Sequence, residues 1–253
     1  MKKIAVITGA SSGMGREMVF ELADRFRAIE EIWVIARRGE RLDELEGQVT
    51  AGLRKMALDI TDKESLEVLK NALEEEKPDV KFLVNGAGYG KIGKVGEVSL
   101  EEETGMIALN CEALCAVTHI VLPFMSKNSR IIQFASAAAF LPQPGFAVYA
   151  ATKSFVLSYS RALNEELRDR DICVTAVCPG PVKTEFFDIA ETTGQIPLYK
   201  RLVMANPKKV VKKAVLDSCM GKTVSVYGGF MKLFFLMCKI LPHEVILRLM
   251  SRL

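Results

Sequence analysis

The sequence lacks a strong excess of charge of either sign. Its 34 Lys and Arg residues against 31 Asp and Glu residues leave a formal net charge of +3. It also lacks a basic stripe with interleaved aromatic residues, which argues against a nucleic-acid partner. Internal repeats are absent, and the 18 Gly and 9 Pro residues are scattered, which is typical of an ordered globular protein.

A secretory signal peptide is lacking as well, because the apolar run at residues 4–7 is too short and a glycine motif follows it at once. Six cysteines without such a signal are more typical of reduced thiols than of a disulfide framework, so we expect a cytoplasmic protein. Cys111, Cys115 and His119 recur on one face of a predicted helix. Three ligands on one straight helix do not easily surround an ion and no fourth is evident, so the sequence predicts no metal site.

Apolar, β-branched runs alternate with amphipathic stretches along the whole chain. The runs predict strands at about 3–8, 31–36, 53–58, 80–85, 129–134, 172–177 and 223–227. The stretches predict helices at about 16–27, 65–76, 101–125, 147–168 and 207–220. This alternation is typical of an α/β protein with a doubly wound, seven-stranded parallel sheet and helices on both faces. Ligands of such sheets bind beyond the carboxyl ends of the strands.

A glycine-rich turn, GASSGMG at residues 9–15, follows the first predicted strand and runs directly into a helix. Glycines permit a tight turn and a close backbone approach, and a helix N-terminus offers free N–H groups to a pyrophosphate. The turn therefore predicts a dinucleotide site. Its predicted contacts are Gly9, Ser11, Ser12, Gly13, Met14 and Gly15.

The second predicted strand ends in Arg37 and Arg38 and carries no acidic residue at its tip. An acidic residue would accept hydrogen bonds from a ribose 2′-hydroxyl, whereas guanidinium groups pair with a 2′-phosphate. The pair favours NADP(H), with Arg37 as the first choice for the phosphate contact and Arg38 as the second. The alternative is that both are solvated surface charges.

Tyr149 and Lys153 lie one helical turn apart, so a phenol and an ammonium group can act on one point of a substrate. A phenol with a pKa of about 10 is a poor acid–base catalyst at neutral pH. A neighbouring cation favours the phenolate, so we expect Lys153 to lower the pKa of Tyr149. The pair predicts proton transfer to a carbonyl group.

Together with Asn85-Gly86-Ala87-Gly88 after strand four and Ser136 after strand five, these motifs resemble the short-chain dehydrogenase/reductase family. The resemblance covers roughly residues 1–227. It implies a Rossmann fold, a nicotinamide cofactor and reversible hydride transfer between an alcohol and a ketone. Two positions depart from the family pattern: Gly86 stands where a second asparagine is frequent, and Ala135 where another serine is common.

The resemblance also implies residue roles. Ser136 would bind the substrate oxygen, Tyr149 would be the general acid, and Lys153 would hold the nicotinamide ribose. Asn110 would belong to a water-mediated proton relay. Further cofactor contacts are implied for Asp59, Asn85, Gly86, Ala87, Pro179, Gly180, Val182 and Thr184. The helices at about 101–125 and 147–168 would pair between subunits of a homodimer or homotetramer.

The loops near these motifs are apolar, which favours a hydrophobic ketone or secondary alcohol over a sugar or a carboxylate. Packing of a lid against the domain is the alternative explanation for these side chains. The predicted walls are Phe140, Leu141, Pro142 and Phe146, then Phe186, Phe187, Ile189, Ile196, Leu198, Tyr199 and Leu202. We expect residues 1–227 to form the main domain, with a substrate lid at about 185–206.

Residues 228–253 form a predicted hydrophobic helical extension of the same domain. The apolar stretch at 230–241 is too short to span a bilayer. Three interpretations are open: a cap over the substrate pocket, a subunit interface, or a helix lying on a membrane surface. Lysines at 208, 209, 212 and 213 give the last some electrostatic support, although a solvated helix face explains them equally well.

The sequence as a whole favours an NADP(H)-dependent oxidoreductase that interconverts a hydrophobic ketone and a secondary alcohol, with Tyr149 as general acid and base. The alternative is a dinucleotide-sensing or interaction module with little turnover. The complete set of Ser136, Tyr149 and Lys153 argues against that alternative.

Overall fold

Seven parallel strands form one sheet in the computed structural model, which describes residues 1–190 and 204–250. The sheet order is β3-β2-β1-β4-β5-β6-β7, which confirms the predicted doubly wound fold. The strands are β1 (Lys3–Thr8), β2 (Glu31–Ala36), β3 (Gly52–Ala57), β4 (Asp79–Asn85), β5 (Arg130–Phe134), β6 (Cys173–Val177) and β7 (Val224–Ser225). Only β7 is clearly shorter than predicted.

Helices cover both faces of the sheet. They are α1 (Gly13–Arg25), α2 (Gly39–Asp43), α3 (Lys63–Glu76), α4 (Leu100–Ile107), α5 (Leu114–Val121), α6 (Ala147–Glu166), α7 (Phe186–Ala190), α8 (Pro207–Cys219), α9 (Gly229–Ile240) and α10 (His243–Met250). Helices α1 and α8 pack on one face, and α3, α5 and α6 on the other. Strand β1 alternates accordingly, with Ile4 and Val6 facing one layer and Ala5 and Ile7 the other.

The helix predicted at about 101–125 is divided by a π-helical segment, Ala108–Ala113, between α4 and α5. A 3₁₀ turn, Leu122–Phe124, follows α5. Within the described residues, Leu100–Phe124 alone has the length and apolarity of a membrane span. Ala113, Val117 and Val121 are buried against the sheet, as expected for a core helix.

The order of the strands reverses at β1, because β2 and β3 lie on one side of it and β4 to β7 on the other. Loops that leave β1 and β4 at their carboxyl ends therefore diverge and open a crevice between them. The glycine turn after β1 and the Asn85–Gly88 turn after β4 border this crevice.

Candidate active site

The glycine turn after β1 has a backbone that side chains would disrupt. Gly9 and Gly13 have φ angles of +70° and +55°, which strain any residue with a Cβ atom. A Cβ atom at Gly15 would lie 2.1 Å from the Gly9 carbonyl oxygen. The turn therefore closes tightly on the first residues of α1 and leaves their N–H groups free for an anion.

The turn after β4 is tied to the end of β1 by the Thr8 hydroxyl, which accepts hydrogen bonds from Gly86 N and Ala87 N at 3.2 and 3.3 Å. A Cβ atom at Gly86 would lie 2.7 Å from the Thr8 carbonyl oxygen. Glycine at position 86, where the family frequently has asparagine, therefore allows this close contact. Asn85 points into the sheet, where Nδ2 donates to Thr118 Oγ1 and Gln133 Oε1, both at 2.9 Å.

A cavity of about 890 Å³ lies at the carboxyl ends of the strands. Every predicted site residue lines it except Asn85 and Asn110, which lie behind its wall. The residues brought together are Gly9, Ser11, Ser12, Gly13, Met14, Gly15, Arg37, Arg38, Asp59, Gly86, Ala87, Ser136, Tyr149, Lys153, Pro179, Gly180, Val182 and Thr184. The cavity has the volume of a site for a cofactor or drug-sized ligand.

Arg38, rather than Arg37, lies against the glycine turn. Arg38 Nη2 donates to Ser12 Oγ at 3.1 Å and to Ser11 Oγ at 3.3 Å. The Glu185 carboxylate binds Arg38 at 3.3 Å and Arg41 at 2.8 Å. These two arginines hold the pKa of Glu185 below its usual range, although burial opposes them. Arg37 is 74% exposed and only approaches Asp59, at 3.9 Å.

The Glu185 carboxylate thus forms ion pairs with both arginines at the edge of the cavity where a 2′-phosphate would lie. A phosphate would offer these arginines the same negative charge and hydrogen-bond acceptors. The residues present therefore fit a phosphorylated dinucleotide. Arg41 and Glu185 were not predicted from the sequence. Arg41 lies in the five-residue helix α2, and its partner is 144 residues away, so no local pattern connects them.

Tyr149 lies on the cavity wall between two aromatic rings, with its own ring 4.3 Å from Phe146 and 5.4 Å from Phe186. The Ser136 hydroxyl is hydrogen-bonded to the phenol. A Cβ atom at Gly90 would lie 2.6 Å from the tyrosine ring, so only glycine leaves room for it there. The ring is fixed in place with its hydroxyl at the cavity surface.

The expectation that Lys153 lowers the pKa of Tyr149 is wrong for this structure. Burial raises the pKa of Tyr149 to about 12, which the hydrogen bond with Ser136 only partly opposes. Lys153 Nζ donates to the Phe134 carbonyl at 2.8 Å, and burial lowers its pKa to about 8. Desolvation dominates because both groups lie inside the protein. At neutral pH the phenol therefore carries its proton, as an acid must.

Asn110 lies in the π-helical segment and is fully buried. Its Nδ2 donates to the Tyr89 carbonyl at 2.9 Å, and its Oδ1 accepts from Tyr89 N at 3.1 Å. A Cβ atom at Gly88 would lie 2.9 Å from Asn110 Oδ1 and 3.2 Å from Lys153 Nζ. Asn110 thus clamps the backbone beside Gly88 and lies next to the lysine.

The predicted substrate walls are only partly confirmed. Phe146, Phe186, Phe187 and Ile189 line the cavity. Phe140 and Leu141 do not, because they are buried in a core cluster with Val156 and Cys238. Pro142 is exposed outside the cavity. The predicted walls Ile196, Leu198, Tyr199 and Leu202 lie outside the described residues.

Helix α9 also supplies walls, in line with the interpretation of this stretch as a cap over the pocket. Phe230, Met231 and Phe234 line the cavity, while Phe235 packs on Phe140 with ring centroids 4.5 Å apart. The inner face of the helix therefore covers one side of the pocket. Helical spacing identified the apolar residues, but not the direction in which each points.

A protein-family model described as short chain dehydrogenase matches residues 3–193. The chain belongs to this family. As a short-chain dehydrogenase it is an oxidoreductase acting on CH–OH groups. Serine 3-dehydrogenase of Agrobacterium fabrum is 33% identical over 191 residues, which cover 74% of each protein. NADP-dependent 3-hydroxy acid dehydrogenase of Schizosaccharomyces pombe is 33% identical over 198 residues, which cover 73% of each.

A solved short-chain dehydrogenase from Sphingobium yanoikuyae, in complex with NADPH, superposes with a TM-score of 0.77. It is 27% identical, and the alignment covers 89% of this chain and 87% of that one. The shared fold extends beyond the glycine turn, Ser136 and helix α6 into the C-terminal third of the chain.

Proposed function

We propose that this short-chain dehydrogenase uses NADP(H) to interconvert a hydrophobic ketone and a secondary alcohol. The observation that carries the proposal is the Tyr149 phenol, protonated and hydrogen-bonded to Ser136, on the wall of a cavity with aromatic sides. NADPH supplies the hydride when bound. Gly9 to Gly15 would hold its pyrophosphate, and Arg38 and Arg41 its 2′-phosphate.

Four side chains of the site have separate roles in the proton transfer that accompanies hydride transfer. Ser136 and Tyr149 donate hydrogen bonds to the carbonyl oxygen, and Tyr149 gives up its proton as negative charge develops there. The Lys153 ammonium stabilises the phenolate that is left. Asn110 keeps the backbone at Gly88 and Tyr89 in position beside the lysine. A proton relay through Asn110 is part of the proposal by family resemblance.

The proposed substrate is apolar because of the walls, not because of the relatives. Those relatives are named for serine and for 3-hydroxy acids, which carry a carboxylate. Outside the edge with Arg37 and Arg38, the cations that line the described part of the cavity are Lys91 and Lys153. Glu102 binds Lys91 at 2.9 Å, and Lys153 donates to the Phe134 carbonyl at 2.8 Å. Phe146, Phe186, Phe187 and Phe234 instead offer apolar surface, worth about 25 cal/mol per Å² buried.

A carbonyl panel tests this proposal by NADPH oxidation. We expect kcat/KM to rise with the apolar size of the ketone, by roughly fourfold for each buried methylene. Turnover confined to 3-oxo acids or amino acid derivatives would overturn the substrate class. Tight NADPH binding without turnover of any carbonyl compound would instead favour the sensing module.

We also propose a cytoplasmic homodimer or homotetramer. The family resemblance implies pairing through α4, α5 and α6, and two exposed apolar side chains on these helices support it. Ile107 is exposed, and Phe155 lies on the surface with its ring stacked 5.9 Å from Tyr159. Burying such residues between subunits would remove apolar surface from water.

We expect ketone reduction to slow as pH rises through about 8, because the buried Lys153 then loses its proton. Tyr149 keeps its proton up to about 12, so the acid itself does not limit the rate in this range. Measurement of kcat/KM for the ketone at a series of pH values from about 6 to about 10 checks this. Lys153→Arg, which stays charged, should lack the alkaline fall; an unchanged wild-type rate across the range would contradict the assignment.

We expect Glu185→Gln to tighten NADPH binding by roughly threefold to fivefold, because a half-buried carboxylate no longer competes for Arg38 and Arg41. Affinity for NADH, which has no 2′-phosphate, should change little. Fluorescence titration with both nucleotides measures the difference. Asp188→Asn, an exposed carboxylate three residues along, is the matched control. Equal shifts for the two nucleotides would argue against a phosphate site at these arginines.

A further inference from the structure

Helix α9 has a second apolar face, which points away from the cavity. Met231, Phe234, Phe235 and Cys238 occupy the inner half of the helix surface. The outer half carries four large apolar side chains, which are 38% to 69% exposed: Leu233, Leu236, Met237 and Ile240. Phe230 lies at the boundary between the two halves. Helices of globular proteins usually place polar residues on the outer half. This helix is therefore apolar on both sides.

Two further exposed apolar side chains follow α9 along the chain. Leu241 follows directly, and Val245 lies in the first turn of α10; both are exposed. The other large apolar side chains on the surface of the described residues are scattered over different elements, such as Val68, Val95 and Met220. An exposed apolar helix face such as that of α9 marks a binding surface.

Lysine is the only charged residue type on α9. Lys232 and Lys239 are exposed and lie seven residues apart, so both stand on the same edge between the inner and outer halves of α9. The sequence contains no Asp or Glu between Asp217 and Glu244. Long lysine side chains at such an edge can extend to a charged interface while their methylenes stay on apolar surface. Lys239 already lies over the Phe235 ring, at 4.4 Å.

We propose that the outer face of α9 binds the surface of a membrane that contains anionic lipids. The apolar side chains would enter the boundary between headgroups and acyl chains, and Lys232 and Lys239 would meet the headgroup phosphates and carboxylates. The lysines of α8 are not needed. One of them, Lys213, is bound to Asp217 at 2.7 Å.

The cavity opens next to the face that would bind the membrane. Phe230 lines the cavity and is also 67% exposed, so the outer face and a cavity wall meet at this residue. An apolar ketone dissolved in the lipid would reach the pocket without crossing water. This route rests on the proposed function, whereas the membrane binding does not.

A second copy of the chain fits the face less well. Two-fold packing of antiparallel α9 helices would bring together two lysine edges, without a carboxylate from residues 218–243 to offset them. Like charges at an interface are unfavourable. An anionic lipid surface supplies the complementary charge.

Co-sedimentation of the full chain with vesicles tests the proposal. We expect binding to vesicles of phosphatidylcholine and phosphatidylserine, and much weaker binding to phosphatidylcholine alone. Leu233→Glu/Ile240→Glu should abolish binding to both. Lys232→Ala/Lys239→Ala should weaken binding to the anionic vesicles by roughly tenfold or more and remove most of its salt dependence.

Val68→Glu/Val95→Glu is the matched control, because it also replaces exposed apolar residues by charge but lies on other elements. It should bind vesicles as the wild type does. Far-UV circular dichroism and NADPH titration establish that each variant is folded, so the readout does not depend on turnover. Absence of binding by the wild type overturns the proposal. So does a dimer in sedimentation velocity that only Leu233→Glu/Ile240→Glu dissociates, because a second copy would then cover the face.

Discussion

Replacing Tyr149 by Phe is expected to lower kcat for ketone reduction by roughly 10²- to 10⁴-fold, the usual contribution of a positioned general acid. The change removes one hydroxyl, which is hydrogen-bonded to Ser136. The ring should stay in place, since Phe146 and Phe186 still hold it on both sides. We therefore expect the affinity for NADPH to remain within about twofold, because general acid–base groups act on the chemical step.

Tyr159→Phe is a close control for this variant. Tyr159 lies on the same helix and is half-buried, and burial also raises its pKa to about 12, but it does not line the cavity. Its hydroxyl should therefore contribute nothing to kcat. Steady-state rates and single-turnover rates of NADPH oxidation are the measurements. A Tyr149→Phe enzyme that kept a tenth or more of the wild-type rate would show that another group protonates the ketone, since a general acid typically contributes at least about 10²-fold.

Gly15→Ala should lower the free energy of unfolding by about 3 kcal/mol, at the upper end of the range for overpacking. The added methyl group would lie 2.1 Å from the Gly9 carbonyl oxygen, and both partners are backbone-bound, so no side chain can rotate away. This steric overlap can be relieved only if the glycine turn opens. Because that turn would hold the pyrophosphate, NADPH affinity should fall together with stability.

Gly229→Ala provides the comparison, because it adds the same methyl group where no heavy atom lies within 4 Å. It should leave stability nearly unchanged or raise it slightly through helix propensity at the start of α9. Urea denaturation monitored by Trp33 fluorescence, with and without NADPH, measures both effects. Equal stability of the two variants would mean that the glycine turn has more freedom than its geometry indicates.

Periodic signals made the sheet predictable, and distant contacts limited the rest. The strands and the helices at both faces follow from residue patterns of period 2 and 3.6, which act over a few residues. Helices α2 and α7 have five residues each, too few to show a period. Whether Phe140 lines the pocket or fills the core depended on α9, whose Phe235 packs against it.

The same difference between local patterns and distant contacts applies to the residues of the site. Tyr149, Lys153 and the glycine turn were found because spacing within one segment brings them together. Arg41 was missed because its partner Glu185 follows β6, far along the chain. The pKa of Tyr149 was misjudged because spacing identifies a neighbouring charge but not how deeply both groups are buried, and here burial has the larger effect.

The π-helical segment that carries Asn110 makes the number of residues in this helix as important as their identity. A π turn holds one residue more than an α turn needs, so it behaves as a single-residue insertion. Deleting one of the residues of 108–113 other than Asn110 would restore a regular helix, and the residues inside the segment would shift by one position relative to their neighbours. The asparagine would still be present in the sequence, but its amide would no longer reach Tyr89. Engineered chimaeras of this enzyme should therefore conserve the length of this helix before they conserve its composition.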